Sequence, residues 1–130
     1  MKFRISKENH YFHIEGYFFD DWPSTTFEIA VEKSRHKPYL YDVHVGHDLG
    51  NKGILQQIAA KLGHHNDTIK GCVGAGTWQT WEFQASKYQL KYELPIIIKG
   101  CIEAYSHRYE EFKEMSKENI EKLVEEICKE

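Results

Sequence analysis

Apolar residues fall at every second position through the first half of the chain and at helical spacing through much of the second. Phe3 and Ile5, then Phe12, Ile14 and Phe18, then Phe27, Ile29 and Val31, then Tyr39, Tyr41, Val43 and Val45 keep the two-residue period of strands with one wet face. Polar breaks at 7–9, 20–24 and 34–38 part these segments at short intervals. Four strands so spaced predict an antiparallel meander with one face buried. Its opposite face carries His13, Glu15, Asp42 and His44.

Beyond residue 50 the period changes. Asn51 can cap a helix with the stripe Ile54, Leu55, Ile58, Ala59 and Leu62, and Gly63 stands where a left-handed residue ends it. Residues 78–94 fit two periods: Trp78, Trp81, Ala85, Tyr88 and Tyr92 are helically spaced, while Tyr88, Leu90, Tyr92 and Leu94 alternate with Gln89, Lys91 and Glu93. The aromatic content favours strands, so a second hairpin turning near Ser86 is expected, with one helix over 77–92 as the alternative. Pro95 suits the first turn of a helix bearing Ile98, Cys101, Ile102, Tyr105, Tyr109 and Phe112, and Ser116 can cap a last one with Ile120, Leu123, Val124 and Ile127. The expectation is an α+β fold in one domain, residues 1–130: a four-stranded antiparallel meander, one helix, a second hairpin, and two C-terminal helices packed on one sheet face.

Composition adds limits. At 130 residues and 41% hydrophobic content the chain can form a single core. Twenty acidic side chains against 17 basic ones give a net charge of −3, and no basic run is present to neutralise a row of phosphates, which argues against a nucleic acid polymer as partner. Cys72, Cys101 and Cys128 are odd in number and widely spaced, which suits a reducing cytoplasm. The N-terminal MKFRISKENH has no signal-like apolar core, and the run Ile96 to Ile98 is far too short for a membrane span. A soluble cytoplasmic protein without a membrane partner is expected.

Candidate chemistry concentrates between residues 36 and 81. Asp42 and His44 leave one strand on the same face, where a carboxylate can orient an imidazole. His44, His47, Asp48, His64, His65 and Asp67 are the candidate ligands for a divalent metal if strand end and helix end converge, although a metal needs three or four groups at about 2.0–2.2 Å from one ion. The spacing of His44 and His47 is not the helical HExxH signature. Without convergence, these residues are the polar decoration of a sheet face and two turns.

Gly71, Gly74 and Gly76 with Thr77 can turn backbone N–H groups toward an anion. Trp78 and Trp81 are placed to stack on a planar ring beside that loop, and Lys70 and Arg108 to face its charge. The ligand-binding set is therefore Lys70, Gly74, Gly76, Thr77, Trp78, Trp81 and Arg108. The competing reading is a connector with core aromatics. Cys101, on an apolar helical stripe, reads as inert.

These features predict a binding protein without turnover. It would recognise a phosphate-bearing or nucleotide-like small ligand, or act as an inhibitor or immunity-type partner that blocks a basic protein with its acidic helices and exposed sheet face. The alternative is a hydrolase or phosphodiesterase, metal-dependent or not, with His44 as base oriented by Asp42. A homo-oligomer held by exposed aromatics is the third reading.

Overall fold

The computed structural model describes residues 2–8, 11–17, 25–48, 53–64, 66–71, 78–104, 121–122 and 124–126. In chain order the elements are β1 (Lys2–Glu8), β2 (Tyr11–Tyr17), β3 (Thr25–Lys33), β4 (Leu40–His47), α1 (Ile54–Lys61), β5 (Ile69–Gly71), β6 (Gln79–Ser86) and α2 (Lys87–Glu103). Residues 121–122 and 124–126 are also helical. The six strands form one antiparallel sheet in the order β1-β2-β3-β4-β6-β5. The fold is α+β, and the meander of β1 to β4 is the one the alternating pattern predicts.

Register shows why that pattern specifies the sheet. Ile14 lies opposite Ile29, Ile29 opposite Val45, and Val45 opposite Trp81, so one apolar row crosses four strands. Val31, Val43 and Phe83 form the next row. A slip of one residue would turn both rows to water. The helices close this face: Leu55, Ile58 and Ala59 of α1, Leu90, Leu94, Ile97, Ile98, Cys101 and Ile102 of α2, and Val124 join the strand residues in one buried cluster. Each fully buried Leu, Ile or Val contributes about 1.5–3 kcal/mol. The helices meet closely at Gly100, where a Cβ would come within 2.8 Å of Ile58 Cδ1. That contact is the use of a glycine which the sequence alone marks only as a weak point in a helix.

Residues 78–94 are neither a hairpin nor one helix. A second hairpin exists, but β5 and β6 form it, and the chain reverses between Gly71 and Gln79. Ser86 ends β6 and caps α2 at once: its hydroxyl accepts from Gln89 N–H at 3.1 Å, and Gln89 Oε1 accepts from Ser86 N–H at 2.8 Å. Strand passes into helix with no loop between, so the two periods overlap in the sequence. Pro95 accordingly lies inside α2 and not in its first turn. An interior proline costs about 3 kcal/mol, which burial of Leu90, Leu94, Ile97 and Ile98 on the same helix offsets. Helix α1 begins at Ile54 with Gly53 in the cap position and no side-chain cap; Asn51 lies outside the described residues. Among the described residues no helix is long and apolar enough to cross a membrane.

Candidate functional site on the open face of the sheet

Because strand residues alternate between faces, the positions between the buried ones stand on the face opposite α1 and α2. On β2, β3 and β4 they make a three-by-three lattice. Tyr11, Glu32 and Asp42 form one row, His13, Ala30 and His44 the next, and Glu15, Glu28 and Gly46 the third. Strand β6 adds Gln84, Glu82 and Thr80 in the same rows. These four strands thus present Glu15, Glu28, Glu32, Asp42 and Glu82, and the outer strands add Arg4 opposite Glu15 and Lys70 opposite Thr80.

The imidazoles are threaded between the carboxylates. His13 Nδ1 is 3.1 Å from Glu15 Oε1, and its Nε2 is 3.1 Å from Glu28 Oε2. Glu28 reaches on through its other oxygen, with Oε1 3.4 Å from His44 Nε2, and His44 Nδ1 is 3.2 Å from Glu82 Oε1. The chain Glu15, His13, Glu28, His44, Glu82 spans four strands. Tyr11 stacks on His13 with ring centroids 6.3 Å apart and planes 13° from parallel. Asp42 does not orient His44, as the sequence suggested; it accepts from Gln84 Nε2 at 2.8 Å, and Glu82 and Glu28 hold the imidazole instead. Both ring nitrogens of His44 therefore face carboxylates, and neither is turned toward open space as a base would require.

Over Ala30 the face is concave. A hollow of about 450 Å³ is bounded by Tyr11, Glu32, Asp42, His44, Glu82 and Gln84. At the β5 side of the face, the indole of Trp78 lies over Gly46, where a Cβ would come within 2.8 Å of Trp78 Cε2. Lys70 stands opposite Thr80.

No family model, curated protein or solved structure matches the chain. Function therefore has to be argued from where the side chains stand.

The described candidate metal ligands do not converge. His44 is on the open face, while His47, three residues on, is fully buried on the helix side, its Nε2–H donating to Cys101 O at 3.1 Å. Asp48 is 3.9 Å from His47 Nδ1. His64 belongs to a third place, between Asp67 Oδ2 at 2.9 Å and Glu93 Oε1 at 2.8 Å. Among the described residues no three His, Cys, Asp or Glu side chains are grouped as metal ligands. Trp81 is likewise misplaced by the sequence reading: it is fully buried, with its indole N–H donating to Asp67 Oδ2 at 2.8 Å, and no ligand can stack on it. Trp78 and Lys70 do share the open face. Gly74, Gly76, Thr77, His65 and Arg108 lie outside the described residues.

Two histidines on the helix side titrate in opposite directions. Burial disfavours a charge on His64, but Glu93 and Asp67 outweigh it and raise its pKa. Burial lowers that of His47 against the opposing pull of the Cys101 carbonyl. Burial also raises the Asp48 carboxyl to about 6. His64 thus contributes stability that is complete below its unfolded pKa of about 6.5 and is lost as pH rises through its higher folded value. His47 contributes stability that is present above about 6.5 and is lost as pH falls through its lower folded value. Proton NMR titration is expected to show the His64 ring titrating above about 6.5 and the His47 ring below it. The reverse order would refute both environments.

Glu28, Glu82, Tyr11 and Ala30 are site residues that the sequence reading did not select. Alternation already put Glu28 and Glu32 on the wet face of β3. What was missing was the pairing of β6 with β4, which brings Glu82 beside His44.

Proposed function

We propose that this chain is a binding protein without turnover that occludes a basic segment of another protein with the open face of its sheet, as an inhibitor or immunity protein does. One observation carries the reading: five carboxylates stand on four adjacent strands, bordered by Arg4 of β1 opposite Glu15 and Lys70 of β5 opposite Thr80, while the described helices pack on the other side. Strands are about 4.8 Å apart, so this array spans roughly 14 Å. Neighbouring carboxylates lie within a Debye length of about 10 Å at 0.1 M salt, and their fields add at a docking cation. Two imidazoles hold the carboxylates in place, an ordering that favours recognition over diffuse attraction. Recognition of a phosphate-bearing ligand is less well supported, because the hollow beside Lys70 also contains Asp67 and Glu82, which repel a phosphate.

Calorimetric titration with a ten-lysine peptide tests the proposal. Binding is expected to weaken steeply between about 50 and 500 mM salt, as screening of surface charges requires. Glu28→Gln together with Glu82→Gln should weaken it at least about tenfold, equivalent to about 1.4 kcal/mol. Glu103→Gln, on the exposed side of α2, should leave it unchanged. Absence of binding, or equal weakening by the α2 control, would overturn the reading.

A further inference from the structure

We infer that the hollow over Ala30 receives one arginine side chain of the bound segment, so that the open face selects arginine over lysine at this point. The inference rests on the protein-binding reading above and names the group that anchors the partner. Ala30 stands at the centre of the lattice, flanked along β3 by Glu28 and Glu32 and across the strands by His13 and His44. Every one of these neighbours is longer than its methyl group. The short side chain of Ala30 lowers the floor of the hollow, whose roughly 450 Å³ is within the range of about 300–1,000 Å³ found for ligand sites.

The walls determine what fits. Glu32, Asp42 and Glu82 supply carboxylates from three strands, and Tyr11 supplies a ring. Burial and the neighbouring Glu28, Glu32 and Glu15 raise the pKa of the Tyr11 phenol, which keeps it neutral and able to donate. A guanidinium is planar and always charged, carries five N–H donors that can bridge carboxylates on different strands, and stacks on aromatic rings. An ammonium has three donors about one point and lacks the planar fork that bridges separated carboxylates. Carboxylates spread across three strands around an aromatic wall match the first geometry. Two neighbouring hollows contain cations of their own: one beside Lys70, and one at the β3–β4 turn that shares Glu32, Asp42 and Gln84 and adds Lys33, Arg35 and Lys37.

The test compares ten-residue peptides of arginine and of lysine, equal in length and charge, and free L-arginine amide. Wild-type protein is expected to bind the arginine peptide at least about tenfold tighter than the lysine peptide, and arginine amide only weakly, because the rest of the face contributes. Ala30→Leu raises the floor at the centre of the hollow without altering charge and should reduce the arginine peptide to the affinity of the lysine peptide. In the unmutated protein, the Ala30 methyl resonance should shift on addition of the arginine peptide and stay in place with the lysine peptide, a readout that needs no variant. Equal binding of both peptides, or equal weakening of both by Ala30→Leu, would overturn the arginine site while leaving the acidic docking face standing. Arginine amide binding as tightly as the peptide would show a small-molecule site and also overturn it. Binding of none of the three would remove the docking face itself, and the inference with it.

Discussion

Replacing His64 by alanine is expected to lower stability by about 3–5 kcal/mol, the cost of breaking a buried ion pair from one side. Glu93 is the reason. Its side chain is only 8% exposed, Oε1 lies 2.8 Å from His64 Nε2, and Oε2 is buried without a hydrogen-bond partner among the described residues. Without the imidazole, the carboxylate is left charged in an apolar site, or must take up a proton. The ring also contributes packing, since its centroid is 5.5 Å from that of Trp81 and 4.8 Å from that of Phe83. Denaturant unfolding of His64→Ala, Glu93→Leu and the double variant separates the two terms. The double variant should be more stable than His64→Ala alone, because it removes the stranded charge. A loss below about 1 kcal/mol in His64→Ala would mean that the pair is solvated and the clamp contributes little.

This clamp shows what the chain discloses before it folds and what it does not. The alternation of Phe12 with Ile14, Phe27 with Ile29 and Val43 with Val45 predicts both the strands and their buried face, because each residue's direction depends only on its own strand. The stripe of α1 is readable for the same reason, and Leu55, Ile58 and Ala59 are buried as predicted. Partners across the sheet are a different matter. That His44 meets Glu82, 38 residues away, follows from β6 entering the sheet between β4 and β5, a choice that no local period encodes. His44, His47 and His64 form a metal site only if strand end and helix end converge, yet a two-residue period sends His44 and His47 to opposite faces of one strand. That much was available from the alternation. The motif Ser86-Lys87-Tyr88-Gln89 was also available, since a serine followed three residues later by glutamine signals a helix start. Pro95 conflicts with that signal, because prolines favour a first turn and this one lies inside α2.

Trp81→Ala should cost about 3–5 kcal/mol, the usual range for removing a buried aromatic side chain, and Trp81→Phe much less. Trp81 is fully buried, lies between Val45 on β4 and Ile69 on β5, and stacks on Phe83 with ring centroids 4.6 Å apart. Phenylalanine keeps most of that contact and gives up the indole N–H that Asp67 Oδ2 accepts, a neutral-to-charged bond of about 1.5–3 kcal/mol. Asp67 retains His64 as partner, so the measured loss should fall toward the lower end. The comparison bears on function as well as folding. Trp81 points into the core, away from the lattice around Ala30, so Trp81→Phe should leave the affinity for an arginine peptide unchanged while lowering the unfolding midpoint. Affinity lost in step with stability would instead tie the binding surface to the helix side of the sheet, where the described helices leave an incoming segment no room.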